Sequence, residues 1–478
     1  MGFKGYNGVM PLAPALLLLL ALSPARASDR FEAPFFFGLA SAPGQSEDEL
    51  PDIWQDWANR GKVAAYANQP DAGKRLEFWT KPEVELDLAA KTGITVYRMG
   101  VDWGRVMPAR HEFDPKAIAR YHEILKMARA RKMRVMLTLM HHSVPRWAQQ
   151  RGGWLVADTK DDYLEFSRRM IDEFSPDVEY WVTFNEANVF VPLAYVNGMW
   201  PPGGKSDLFS LAAIGPLRGD AVKAMDRMAD AHNELYAWAH KKYPGIKLGI
   251  AQNMALYTGK TWYDRVSARF VDALMNWRFP ERIRGRMDYF GMNYYGAEWI
   301  RDGALAIEPD EEYSEAGRAV NPRGFLTVLK EIHKRFPLPP VVVTENGIAD
   351  STDILRPAYL LEHLAAIAQA RREGVPVTGY IEWTLSDNLE WSDGYCPKFG
   401  LAAVDRAHGL KRVPRPSYDL FCKIATTREV TTAQRDAAWV DVAAHAGMDR
   451  PFCRADDAVT PLSEPKKRPF STTDWRFK

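Results

Sequence analysis

The sequence predicts an α/β fold, a single (β/α)8 TIM barrel with a C-terminal extension. Three observations carry that prediction. Eight short apolar runs recur along residues 34–388, helix-like segments lie between them, and the runs end on polar residues. Strand alternating with helix implies a parallel sheet, and eight such units suit a closed barrel better than an open doubly wound sheet. The first run continues as FGLASAPG rather than GxGxxG, which argues against a dinucleotide-binding sheet.

In order, the runs are PFFFGLASA (34–42), ITVYRMG (94–100), RVMLTLMHH (134–142), YWVTFNE (180–186), KLGIAQNM (247–254), DYFGMNYY (288–295), VVVTENG (341–347) and GYIEWTLSDN (379–388). Two of the intervening segments, PKAIARYHEILKMARARK (115–132) and LLEHLAAIAQARREG (360–374), are apolar at helical spacing and close on Gly or basic residues, so they read as amphipathic helices. The barrel is assigned to residues 33–425.

Residues 1–27 read separately. Lys4, an apolar run from Met10 to Leu22 and Ala25-Arg26-Ala27 before Ser28 have the layout of a signal peptide. The run is shorter than the roughly 20 residues of a membrane span, so a cleaved signal is favoured over a retained anchor. Residues 426–478 are rich in Pro and charge, and are expected to wrap over the barrel as irregular chain or to trail from it. Within them, DWRF offers aromatics to a groove, and Lys466-Lys467-Arg468 offers limited attraction to a membrane surface.

Composition excludes some partners. The 62 basic and 61 acidic residues nearly cancel, which gives no reason to expect nucleic acid. Three cysteines without a CxxC allow one bridge at most and indicate no zinc site. The 16 Trp, 19 Tyr and 22 Phe supply either a bulky core or flat faces for a ligand.

A barrel gathers its chemistry at the C-terminal ends of its strands. There this chain carries Gln45, Arg98, His141, Asn185 with Glu186, Asn293 with Tyr295, Glu345, then Trp383, Glu390 and Trp391. Singly, several have plainer readings: Arg98 as a structural ion-pair partner, Asn346-Gly347 as a hairpin turn. His141-His142 suggests a metal, but neighbours on a strand face opposite ways, so only one is expected to look into the site. Together, two carboxylates among amides, an arginine and tryptophans suit glycosidic bond cleavage: one protonates the leaving oxygen and the other faces the anomeric carbon. Glu382 does not fit this set; alternation turns it toward the helices, where a buried partner such as an arginine is expected.

These motifs resemble glycoside hydrolase family one, the β-glucosidase barrel family, from about Phe35 to Phe421. FFFGLASAPGQSED, YRMGVDWGRVMP, TLMHHSVP, TFNEA, GMNYY, VTENG and WTLSDNLEWSDGYCPKFGL follow in the family's order. The resemblance implies a retaining enzyme that needs no metal or organic cofactor, with Glu345 as nucleophile and Glu186 as acid/base. Arg98, Asn293 and Tyr295 would support them, and Gln45, His141, Asn185, Trp383, Glu390, Trp391 and Phe399 would bind the sugar. Arg98 is expected to keep Glu345 ionised while Glu186 sits where its anion is less favoured.

His142-Ser143, Asp48 and Ala187 replace the usual residues of that family. With HHSVPRWAQQRGGW, EYSEAGRAVNPRGF, GYCPKFGLAAVDR and the tail DWRFK, they resemble the galactolipid galactosyltransferase branch of plant chloroplast envelopes. Plant members carry a lysine-rich insertion where this chain has only ANRGKVAAYANQPDAGKR between Trp57 and Leu76. Three functions are open on these grounds: hydrolysis of β-glucosides or β-galactosides, galactosyl transfer onto a galactolipid, and a barrel that binds sugar or lipid without turnover. The leader implies export, and the plant resemblance an envelope anchor instead.

Overall fold

A computed structural model describes residues 1–2, 28–204 and 219–478; the leader read in residues 1–27 lies, apart from its first two residues, outside them. Among the described residues no helix is long and apolar enough to cross a membrane.

Eight parallel strands form the barrel: β1 (Phe36–Ala40), β2 (Val96–Gly100), β3 (Arg134–Met140), β4 (Val178–Asn185), β5 (Lys247–Thr258), β6 (Phe290–Arg301), β7 (Val341–Asn346) and β8 (Val377–Glu382). Each pairs with the next in sequence, and β8 returns to β1 with Gly379 opposite Phe36, which closes the sheet and leaves no barrel edge. Every predicted run contains the start of a strand or its bulk, but β5 and β6 extend beyond theirs, staying paired as far as Thr258 and Trp299. Their ends raise one side of the rim.

The helices of the chain include α1 (Pro115–Ala130), α2 (Trp262–Asp272), α3 (Pro322–Arg335), α4 (Leu355–Arg372) and α5 (Thr432–His445). The start of α1 is dictated locally: Asp114 accepts from the amides of Lys116 at 2.8 Å and Ala117 at 3.3 Å, and Pro115 needs no amide partner. Ile118, Tyr121, Ile124, Leu125 and Ala128 then bury one face; each of the larger ones contributes roughly 1.5–3 kcal/mol.

The other expected amphipathic helix is not one. It starts earlier, at Leu355, and is buried on both faces, Leu360 to Ala368 without interruption. The cause is α5, which lies across it: Arg435 and the Trp439 indole both bind Glu362, at 2.6 and 3.0 Å. The C-terminal extension therefore differs from the irregular or trailing chain expected. It is a helix followed by a hairpin, β9 (Asp449–Arg454) and β10 (Pro461–Pro469), with Phe452 opposite Lys466. The single bridge, Cys396–Cys453, joins the hairpin to the loop after β8. DWRF docks as anticipated, Trp475 lying 4.6 Å from the Trp439 ring. Two of the basic triplet are engaged, Lys466 with Asp456 and Arg468 over Tyr313, while Lys467 is exposed.

Packing decides one plainer reading, Asn346-Gly347, and the surroundings of Glu382. Asn346-Gly347 is no hairpin turn; a Cβ on Gly347 would stand 1.8 Å from the Trp383 carbonyl oxygen, so the glycine permits β7 and β8 to meet. Asn346 donates to the Tyr294 carbonyl at 2.6 Å, joining β7 to β6. Glu382 has no arginine ion pair among the described residues. Its hydrogen-bond partner is the Tyr380 hydroxyl at 2.6 Å; burial pushes its carboxyl up to about 8, opposed by that hydrogen bond and by the charge of the buried Arg356, which acts on it without contact.

Candidate active site

The strand ends meet in a pocket of about 330 Å³. Nine of the residues singled out in sequence line it: His141, Asn185, Glu186, Tyr295, Glu345, Trp383, Glu390, Trp391 and Phe399. Arg98 and Asn293 are fully buried behind that surface, acting through their neighbours. Gln45, on the short helix Pro43–Ser46, is also buried, and neither its amide oxygen nor its nitrogen has a partner. A buried unpaired amide costs about 1–3 kcal/mol; a sugar hydroxyl beside it would relieve that cost.

Each carboxylate has its own set of holders. Glu345, at the end of β7, is bound by Arg98 through one oxygen and by the Tyr295 hydroxyl, at 2.6 Å, through the other. Arg98 also donates to the Thr344 carbonyl at 3.1 Å and to Asn185 Oδ1 at 2.7 Å. Phe399 stands edge-on to the Tyr295 ring, with centroids 5.7 Å apart. Glu186 takes the left-handed conformation, φ 47°, directly after β4. That conformation is strained for a non-glycine residue and turns the chain from strand into helix. Its Oε1 accepts from Asn293 at 2.8 Å and Asn253 at 3.1 Å.

The charge balance reverses the order expected from sequence. Burial pushes Glu345 up to about 7, with the charge of Glu186 adding to the rise; Arg98 opposes this but does not overcome it. Burial also acts to raise Glu186, yet hydrogen bonding and charge from His142, with Asn293 and Asn253, leave it below its ordinary value. The contribution of His142 as a cation requires a protonated ring, and burial holds that ring below the ordinary histidine range. Glu390 is raised well above the carboxylate range, first by burial and then by Asp393.

Both histidines face the site, contrary to the alternation argument. Strand β3 stops at Met140 and His142 has φ 59°, so the backbone no longer alternates. Asn185 Nδ2 lies 3.0 Å from His141 Nε2 and 3.1 Å from His142 Nε2. Because Asn185 Oδ1 accepts from Arg98 and, at 3.1 Å, from Asn293, its nitrogen must be the atom facing the two rings. Each Nε2 is then an acceptor, and the Nδ1 tautomer is the neutral form of both.

Several site residues escaped the sequence reading. Asn253 closes the apolar run of β5 and was legible as that strand's polar end. Trp54 lies on the short helix Ile53–Asn59, too short to show a periodic signal, and Trp200 lies in a loop; Trp54 packs 4.8 Å from Trp391 and 5.3 Å from Trp200. Asp48, one of the departures from the family pattern, receives the amides of Trp79 and Thr80 at 3.0 and 3.1 Å, fastening the loop after β1. On the outer side of the pocket, Arg318 meets Glu298 at 2.8 Å and Arg454 meets Asp393 at 2.6 Å. Arg454, Ala458 and Val459 belong to the C-terminal hairpin, so the extension forms part of the pocket wall.

A closed eight-stranded barrel with two carboxylates so held is the arrangement of glycosidases, and the chain belongs to glycosyl hydrolase family 1, whose profile matches residues 27–277 and 214–430. Membership and fold support β-glycosidase-type chemistry. Among characterised sequences the chain is similar to Galactolipid galactosyltransferase SFR2, chloroplastic, of Arabidopsis thaliana, 39% identical across 93% of this chain and 82% of that protein. It is also similar to Beta-glucosidase-like SFR2, chloroplastic, of Oryza sativa subsp. japonica, 36% identical across 96% and 85%. A solved β-glycosidase from Pyrococcus horikoshii superposes with a TM-score of 0.76 at 27% identity, covering 86% of this chain and 98% of its own.

Proposed function

We propose that this chain is a retaining β-glycosyl-transferring enzyme in which Glu345 is the nucleophile and Glu186 the acid/base. The observation that carries the reading is the division of holders within one pocket, Arg98 and Tyr295 on Glu345, Asn293 and Asn253 on Glu186. In the first half-reaction a Glu345 oxygen bonds to the anomeric carbon as the glycosidic bond breaks, and the proton of Glu186 goes to the leaving oxygen. In the second, Glu186 takes the proton of an acceptor hydroxyl, whose oxygen bonds to the anomeric carbon and releases Glu345. Two coupled carboxylates with one proton between them suit this exchange. His142 Nε2 lies 3.5 Å from Glu186 Oε2, and because burial holds that ring below the ordinary histidine range, the neutral ring gives the Glu186 anion no cation and the proton on Glu186 is favoured.

The acceptor is proposed to be a galactolipid hydroxyl, with water as the alternative. Similarity to the Arabidopsis galactosyltransferase along nearly the whole chain supports this, as does the apolar lining of the mouth by Leu193, Met199, Met275 and Leu305. Incubation with monogalactosyl diacylglycerol tests it: oligogalactolipid products support transfer, whereas free galactose alone means hydrolysis. Glu345→Gln is expected to abolish either outcome, and turnover of a nitrophenyl β-glycoside that survives Glu345→Ala would remove the nucleophile assignment. Absence of any turnover by the unaltered chain would leave the binding barrel.

A further inference from the structure

The helix α2 carries an apolar face that the barrel does not use. Asp264 and Ala268 are the residues it buries. Asp264 fixes both the helix start, through a capping box with Thr261, and the turn after β6, by accepting from the Asp302 amide at 3.0 Å. On the opposite side Trp262, Val266 and Phe270 recur at the four-residue helical spacing and are 72%, 57% and 43% exposed, with Tyr263 beside them at 47%. Other exposed apolar side chains, such as Leu338 and Val413, stand on different elements. Arg265 and Arg269, also one turn apart and exposed, border the stripe, and neither has an ion-pair partner among the described residues.

We infer that this face docks on a lipid bilayer surface containing anionic lipid. Tryptophan and tyrosine sit well at the boundary between headgroups and acyl chains, and an amphipathic helix lies in that plane with its apolar side buried roughly 5–10 Å. Arginines at its border add attraction, about 1 kcal/mol each near an anionic surface. A second copy of the chain fits less well: a two-fold contact through this stripe would bring the same arginines together. The face is also placed for use. α2 continues directly into the helical turn Ala273–Trp277, whose Met275 lines the pocket, so a bilayer held by α2 lies next to the mouth. The inference rests on the proposed glycolipid acceptor for its purpose, but its test does not depend on transfer.

The full chain and its variants are floated with vesicles of monogalactosyl diacylglycerol and phosphatidylglycerol, and turnover of a soluble nitrophenyl β-glycoside is measured in parallel. Trp262→Ala with Phe270→Ala is expected to lower vesicle affinity about tenfold. Arg265→Glu with Arg269→Glu should weaken binding to these vesicles but not to vesicles in which phosphatidylcholine replaces phosphatidylglycerol. Leu338→Ala, a comparable exposed apolar loss elsewhere, should leave binding unchanged, and soluble turnover should be the same in all. Unchanged vesicle binding in Trp262→Ala/Phe270→Ala overturns the inference, as does a dimer in solution that this variant converts to monomer. Loss of vesicle binding without any galactolipid transfer would retain the docking face and reject the proposed acceptor.

Discussion

At the residue scale, the proposed reaction depends on two carboxylates that raise each other's cost of ionisation. Glu345 is pushed up to about 7 first by burial, with the Glu186 charge contributing and Arg98 and Tyr295 opposing. Replacing Glu186 by Gln removes that repulsion, so the nucleophile should ionise at lower pH. With an activated glycoside, the ascending limb of kcat/KM should therefore move to lower pH in Glu186→Gln; a limb that stays or rises would contradict the coupling. Tyr295→Phe has the opposite sign: it removes a donor to the anion, so the limb should move to higher pH. Glu186→Ala should slow poorly activated glycosides far more than activated ones, and added azide should restore turnover of the latter by attacking the glycosyl-enzyme.

At the element scale, the C-terminal extension is part of the folded barrel, through two different attachments. Helix α5 holds α4 through Glu362, which is fully buried and bound by Arg435 and Trp439. Losing one partner of a buried ion pair leaves an uncompensated charge, so Arg435→Ala should cost about 3 kcal/mol, measured as a fall in the urea midpoint. Arg435→Lys should recover only part, since it cannot bind both carboxylate oxygens. The hairpin β9–β10 is attached by Cys396–Cys453, which closes 57 residues of sequence. Removing it with Cys453→Ser should cost up to about 4 kcal/mol in chain entropy, read by the same titration in the absence of reductant; an unchanged midpoint would mean that the ion pairs Arg450–Glu312, at 2.6 Å, and Arg454–Asp393 secure the hairpin without the bridge.

At the scale of the whole molecule, burial has raised several carboxyl groups together: Glu47, Glu315 and Glu345 to about 7 and Glu382 to about 8. Their ordinary value is 4.5, so each holds its proton more tightly folded than unfolded. That contribution is fully present below about pH 4.5 and is lost as pH rises through the folded values. For Glu382 the window runs from its ordinary value to about 8. Glu382→Gln should therefore gain in Tm relative to the unaltered chain between pH 5 and 8, by the equivalent of a few kcal/mol. A difference that does not change with pH would show that Glu382 is ionised in the fold.

Eight strands, their closure into a barrel and most of the side chains that meet in the pocket are legible in the order of the motifs, because strand ends in a barrel converge whatever fills the loops. Tertiary structure alone decided what depends on neighbours distant in sequence. The left-handed turn at His142 brings a second imidazole into the site. Trp54, on a helix of seven residues, and Trp200, in a loop, have no periodic signal, and α4 is buried on both faces only because residues far along the chain cover it. The same is true of protonation: Arg98 beside Glu345 is readable from motif order, but whether its charge overcomes burial depends on how much water the folded barrel excludes.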